Sequence, residues 1–198
     1  MKLVLASKNP GKLRELQEIL GSLGVEVLLE SQVGLDLEVE ETGTTFEENA
    51  FLKADTVMKA SGLPAIADDS GLVVDALNGA PGVYSARFGG KESDAARTAL
   101  LLEKLEGVPA EKRTARFVSA IACRLPDGRT VTAKGSCEGV VADAPRGQGG
   151  FGYDPVFLVP SLGKTFAELS AEEKNQISHR GAALRAFAEK FREAVEPC

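Results

Sequence analysis

Two neighbouring carboxylates, Asp68 and Asp69, directly follow the apolar stretch at residues 64–67 and precede Ser70-Gly71. Adjacent anions repel each other and are tolerated where a metal or a cation lies close by. The same letters also describe an Asp-rich turn. Their position at the end of an apolar strand, where α/β proteins gather ligands, favours a functional reading. Upstream, Glu38, Glu40 and Glu41 cluster before Thr42-Gly43. Such acids form a solvated edge, or become metal ligands if the fold carries them to Asp69. Lys53 lies on the following helical stretch and is spaced so that Glu48 need not neutralise it. It is therefore a candidate for facing a phosphate.

Ser7-Lys8-Asn9-Pro10-Gly11-Lys12 stands where a strand ends and a helix begins. Free backbone N–H groups, the helix dipole and Lys12 all favour an anion there. A capped surface helix with one solvated lysine would read the same way. No GxxxxGK[ST] loop is present.

Gly149-Gly150-Phe151-Gly152-Tyr153-Asp154 sets an aromatic ring between glycines, open to a stacking nucleobase. Asp154 is placed to accept hydrogen bonds from ring N–H groups, although a turn around a core aromatic fits equally. Lys174 and Ser178-His179-Arg180 add donors suited to an acceptor-rich ligand, and His179 is the sole histidine. There is no GxSxG and no Ser-His-Asp set, so metal-assisted attack by water is the natural chemistry.

The elements around these residues follow from local signals. Residues 2–6 and 25–29 read as strands, and Asn9-Pro10 starts a helix. Thr45 and Glu48 form a capping box before a helix running to about residue 60, and Ser170 and Glu173 form another. Residues 78–90 read as a loop and 93–105 as a helix. Residues 115–124 and 129–137 read as a hairpin around Pro126-Asp127-Gly128. A strand at 155–159 follows the glycine-rich loop. Ser178 caps a last helix reaching about Val195. Strands and helices mix throughout, which predicts an α/β fold around one curved sheet, in a single domain over 1–198.

Composition limits the partners. Of 198 residues, 43% are hydrophobic and 26% charged, as in an ordinary globular protein. The net charge of −6 gives no basic field for a nucleic-acid backbone. No apolar run approaches the roughly 18 residues of a membrane span, and the first residues do not read as a secretory signal. A cytoplasmic location is expected. Cys123, Cys137 and Cys198 form no CxxC, so zinc is not expected and the thiols are expected reduced.

Five segments, in this order, strongly resemble the non-canonical purine NTP pyrophosphatase (inosine triphosphate pyrophosphatase) family. They are SKNPGK at 7–12, EETGTTFEENAFLKA at 40–54, PAIADDSGLVVDALNGAPGVYSARF at 64–88, GGFGYDPVF at 149–157 and LSAEEKNQISHRGAAL at 169–184. The resemblance implies a curved mixed sheet flanked by helices, in an elongated molecule whose two lobes enclose a central substrate cleft. It implies a homodimer, Mg²⁺, and conversion of ITP, dITP or XTP to the monophosphate and pyrophosphate. It places Ser7, Asn9, Lys12 and Lys53 on the triphosphate, within a binding segment that includes Lys8, Pro10 and Gly11. It makes Asp69 the general base and a metal-site acid, and Glu41 a metal ligand, with Asp68 and Glu40 behind it. Ser70 becomes a substrate contact. Phe151, Asp154, Lys174, His179 and Arg180 become base-recognition residues, with Gly152 and Tyr153 in the same segment. Donors at that end suit a 6-keto purine and oppose the 6-amino group of adenine. Rival readings are a pyrophosphatase of the same fold acting on other modified nucleotides, a sensor that does not hydrolyse, and a sugar-phosphate hydrolase.

Overall fold

A computed structural model describes residues 1–21 and 24–195. Seven strands form one mixed sheet in the order β2-β1-β3-β4-β5-β6-β7. The strands are β1 (Lys2–Leu5), β2 (Glu26–Leu29), β3 (Ala65–Val74), β4 (Thr114–Arg124), β5 (Thr130–Val141), β6 (Phe157–Val159) and β7 (Lys164–Thr165). Strand β1 pairs in parallel with β2 and β3, whereas β6 pairs antiparallel with β5 and β7. The helices are α1 (Pro10–Leu20), α2 (Phe46–Ser61), α3 (Asp94–Lys104), α4 (Ala171–Ile177) and α5 (His179–Val195).

The caps explain where the helices begin. Asn9 precedes Pro10 and its Oδ1 accepts from the N–H groups of Gly11 and Lys12. Thr45 and Glu48 make a reciprocal capping box, as do Ser170 and Glu173. The Oγ of Ser178 accepts from Gly181 N–H at the start of α5.

Several elements differ from the sequence reading. Residues 78–90 are not all loop, because Gly82–Gly90 forms 3-10 turns. The strand expected from 155 begins at Phe157, after a 3-10 turn over Asp154–Val156. Most consequentially, β3 does not stop at Asp68. It runs on to Val74, so both acids lie inside a strand. They nevertheless sit beyond the end of its parallel neighbour, since β1 pairs with β3 at Val4↔Ala65 and Leu5↔Ile66.

The chain divides into two compact units, Met1–Asp69, Ser119–Gly135 and Ala182–Cys198 forming the first, and Ser70–Val118 with Ser136–Gly181 the second. In the first, alternation along β3 sorts its side chains onto two faces. Ile66 joins Leu16 and Leu20 of α1 in one apolar cluster. Ala65 and Ala67 join Ala50, Ala54 and Val57 of α2 in another. The second unit has its own core, in which Phe117, Phe157 and Phe166 pack together. Cys123 and Cys137 are free thiols, and Cys198 lies outside the described residues. Among the described residues, no helix is long and apolar enough to cross a membrane.

Candidate active site

The alternation of β3 decides which cation each acid meets. Asp68 shares the parity of Ile66 and faces the α1 side, where Lys12 stands one turn before Leu16. Lys12 Nζ lies 2.9 Å from Asp68 Oδ2 and 2.9 Å from the Asp68 carbonyl oxygen. Asp69 shares the parity of Ala67 and faces α2. Lys53 Nζ lies 2.8 Å from Asp69 Oδ1, 2.8 Å from Glu41 Oε1 and 3.3 Å from the Asp68 carbonyl. The three donors of that ammonium are thus matched by three acceptors. The mutual repulsion of adjacent aspartates is relieved by sending them to opposite faces, each to its own lysine.

Both aspartates are buried. Burial pushes the Asp69 carboxyl above its ordinary range, and the Lys53 charge offsets this only in part. For Lys53 burial acts to lower the pKa, but the adjoining Asp69 and Glu41 outweigh it, so the ammonium is held charged more firmly than in water.

Two polar side chains complete the cluster, and the sequence reading gave neither a role. Asn49 is fully buried on α2. Its Oδ1 accepts from Gly43 N–H at 2.8 Å, and its Nδ2 makes a long 3.5 Å contact with Asp69 Oδ2. Asn49 thereby ties the acidic loop to Asp69. A side chain at Gly43 would meet Asn49 Oδ1 at 2.6 Å, which explains glycine there. Ser119 of β4, also fully buried, donates to Asp68 Oδ1 at 2.6 Å. The available signals were an Asn on the apolar face of α2 and one hydroxyl inside an apolar strand.

The segment at 7–12 works differently from the expectation. Asn9 Oδ1 takes the N–H groups of Gly11 and Lys12, and Ser7 Oγ accepts from Asn9 N–H at 3.2 Å. The amides expected to be free for an anion are partly capped from within. Positive charge here comes from Lys12 and from Lys8, whose exposed ammonium pairs with Asp36. Ser7, Lys8, Glu38, Glu40 and Lys53 line one recess of about 610 Å³. Glu40 is exposed and Glu41 half-buried. Among the described residues, no three His, Cys, Asp or Glu side chains are gathered as a metal cage. The donors present are nonetheless hard carboxylate oxygens, and Glu41 and Asp69 already hold one cationic group between them, which suits a divalent ion such as Mg²⁺.

The second unit holds the other candidate residues. Phe151 is about half exposed, with Lys174 Nζ 4.8 Å and Arg180 Cζ 5.5 Å from its ring centroid. Asp154 is buried. Its Oδ2 accepts from Phe151 N–H at 2.9 Å and pairs with Lys174 Nζ at 2.6 Å. Glycine at 150 serves this arrangement rather than opening the ring. Its φ is +73°, and a Cβ there would lie 2.0 Å from Asp154 Oδ2. The N–H of Gly152 is taken by Asp94 Oδ2 at 2.7 Å. Arg180 Nη2 donates to Ser70 Oγ at 3.3 Å. The His179 ring stacks on Phe117 at 4.7 Å and 13°. Tyr153 is a core residue whose hydroxyl donates to the Ser85 carbonyl, and burial pushes its phenol up to about 12.

This is an α/β protein with a buried carboxylate–lysine cluster on one unit and a cation-flanked aromatic on the other. A model of the Ham1 family matches residues 3–190, and the chain belongs to that family. It is 54% identical to a dITP/XTP pyrophosphatase of Thermus thermophilus, over the whole of this chain and 95% of that protein. It is 53% identical to one from Geobacillus kaustophilus, over 98% of this chain and 96% of that protein. A solved HAM1 protein from Coxiella burnetii superposes with a TM-score of 0.91 at 45% identity, covering 98% of this chain and 99% of that one. A solved dITP/XTP pyrophosphatase from Mycobacterium abscessus gives 0.80 at 50% identity, covering 94% and 97%. The family agrees with the one indicated by the five segments.

Proposed function

We infer that this protein hydrolyses non-canonical purine nucleoside triphosphates, ITP, dITP and XTP, to the monophosphate and pyrophosphate. The relatives named as dITP/XTP pyrophosphatases support the substrate class. The observation that carries the chemistry is the pair of aspartates shared between Lys12 and Lys53. It joins a base, Asp69, to two cations suited to phosphate oxygens.

Glu41 and Asp69 are the residues that would hold Mg²⁺. Asp68 ranks behind them because it faces the other side of the strand, toward Lys12, and Glu40 because it is exposed. When bound, the ion supplies positive charge to phosphate oxygens. Asp69 orients a water toward the α-phosphorus and takes its proton; burial has made the carboxyl a better base. The new bond joins the water oxygen to the α-phosphorus. The bond from that phosphorus to the bridging oxygen breaks, and pyrophosphate leaves with the electron pair. Lys12 and Lys53, with Ser7, stabilise its charge.

On the second unit Phe151 offers a stacking face for the base. Lys174, Arg180 and His179 provide donors for a 6-keto oxygen, with Ser70 against Arg180 and Asp154 against Lys174. A 6-amino group facing the same donors leaves hydrogen bonds unmet, at roughly 1–3 kcal/mol each. A cytoplasmic homodimer completes the reading. Sedimentation would test the assembly.

The deciding experiment is product analysis with ITP at saturating Mg²⁺. Inosine monophosphate and pyrophosphate are expected in equal amounts. Release of orthophosphate would place attack at the γ-phosphorus and overturn the mechanism.

A further inference from the structure

We propose that Ser119 is a positioning residue for the triphosphate half of the substrate, acting through Asp68 on Lys12. The inference rests on the functional reading above and adds to it a residue outside every motif that carried that reading.

Residues 114–124 of β4 are buried almost throughout, and Ser119 is the fully buried polar side chain among them. A hydroxyl in such a place is costly unless it is hydrogen-bonded. Its partner is Asp68 Oδ1 at 2.6 Å, the short range of a hydroxyl meeting a carboxylate. Ser119 has the parity of Ile121 on β4, and Asp68 that of Ile66 on β3. Both isoleucines belong to the cluster beneath α1, so hydroxyl, carboxylate and Lys12 share one face.

The consequence falls on Lys12. Its ammonium ends a flexible four-carbon stem and has no geometry of its own. Asp68 supplies that geometry twice, through Oδ2 and through its own backbone carbonyl, both at 2.9 Å. The side-chain contact depends on the orientation of the Asp68 carboxylate, and Ser119 holds the opposite oxygen of that carboxylate. Without the hydroxyl, Asp68 Oδ1 is buried with a donor removed, and the carboxylate turns toward the remaining donors. Lys12 is drawn with it, away from the substrate. Ser119 touches no phosphate in this scheme.

The test compares the two halves of the substrate. Magnesium pyrophosphate and inosine are each titrated by calorimetry into wild type, Ser119→Ala and Ser119→Thr at saturating Mg²⁺, with melting temperatures in parallel. The Ala variant is expected to bind pyrophosphate about tenfold more weakly, roughly the value of one such hydrogen bond, and inosine unchanged. The Thr variant keeps the hydroxyl and is expected to restore pyrophosphate binding. Ser119→Cys preserves volume with a weak donor, and gives an intermediate pyrophosphate affinity if Ala or Thr does not fold. Unchanged pyrophosphate affinity in every foldable variant overturns the proposal. So does an equal loss for pyrophosphate and inosine, which marks a merely structural role. Orthophosphate release from ITP by the wild type would instead sink the functional reading, while the pyrophosphate comparison still decides on Ser119.

Discussion

Lys53 Nζ lies 2.8 Å from Asp69 Oδ1 and the same distance from Glu41 Oε1, so one largely buried ammonium holds together two acids from separate parts of the chain. Replacing it by methionine leaves two partly buried carboxylates facing each other. Lys53→Met is expected to lose about 3 kcal/mol of stability, as when one partner of a buried pair is removed. Added Mg²⁺ should recover part of that loss, because the acids then gain a cation. Thermal melts with and without Mg²⁺ check both statements. A melting temperature indifferent to the substitution would remove the lysine from the cluster's electrostatics.

Asn49 separates two tasks within one side chain. Asn49→Asp keeps an acceptor for Gly43 N–H but sets a carboxylate against Asp69 in place of a donor. Turnover of ITP is expected to fall at least about tenfold, for an effect of roughly 1–3 kcal/mol. Asn49→Ala, which loses both contacts, should also loosen the loop carrying Glu41. Comparison of kcat and melting temperature for the two variants measures each task. Equal kcat in Asn49→Asp and wild type would leave Asn49 with the loop alone.

At the base end, Gly150→Ala places a methyl against Asp154 and demands a positive φ from alanine. The strain, about 1–3 kcal/mol, should detach Phe151 N–H from Asp154 and move the ring. The KM for ITP is expected to rise about tenfold with kcat changed much less. Arg180→Ala should lower the ITP/ATP ratio of catalytic efficiencies. An unaltered ratio would count against its part in reading the base.

The thiols give a pH prediction with a definite sign. Burial pushes Cys123 up to about 12, and burial together with the Glu138 charge pushes Cys137 up to about 11. Between the ordinary thiol value of about 9 and these values, the unfolded chain has lost protons that the folded chain keeps. Stability therefore declines as pH rises through that window and is unaffected by these groups below it. In a Cys198→Ser background, alkylation at pH 8 should be slow until denaturant is added. Rapid native-state labelling of Cys123 would contradict its burial.

What the sequence disclosed was local. Asn9-Pro10, the Thr45–Glu48 and Ser170–Glu173 boxes and Ser178 mark helix starts within a few residues of chain, and each helix begins there. The hairpin at residues 126–128 is equally local. Contacts that depend on tertiary pairing were not legible. Ser119 meets Asp68 across 51 positions and Asn49 meets Asp69 across 20. The extension of β3 past its acids was hidden too, because Asp-Asp-Ser-Gly carries turn propensity that sheet pairing overrides. Lys12, Lys53, Asp68 and Asp69 were found by residue type, but their division into two pairs required the strand.

That division makes the cluster a check on folding itself. Side chains in a strand alternate strictly, so slipping β3 by one position against its neighbours would exchange Asp68 and Asp69 between faces. Ile66 would be driven among the alanines packed on α2, and Ala65 and Ala67 would face the leucines of α1, leaving gaps. Each carboxylate would also lose the lysine placed for it. Apolar fit and charge pairing thus reject the same error. A chain that has formed this arrangement of two acids and two cations has β3 correctly aligned.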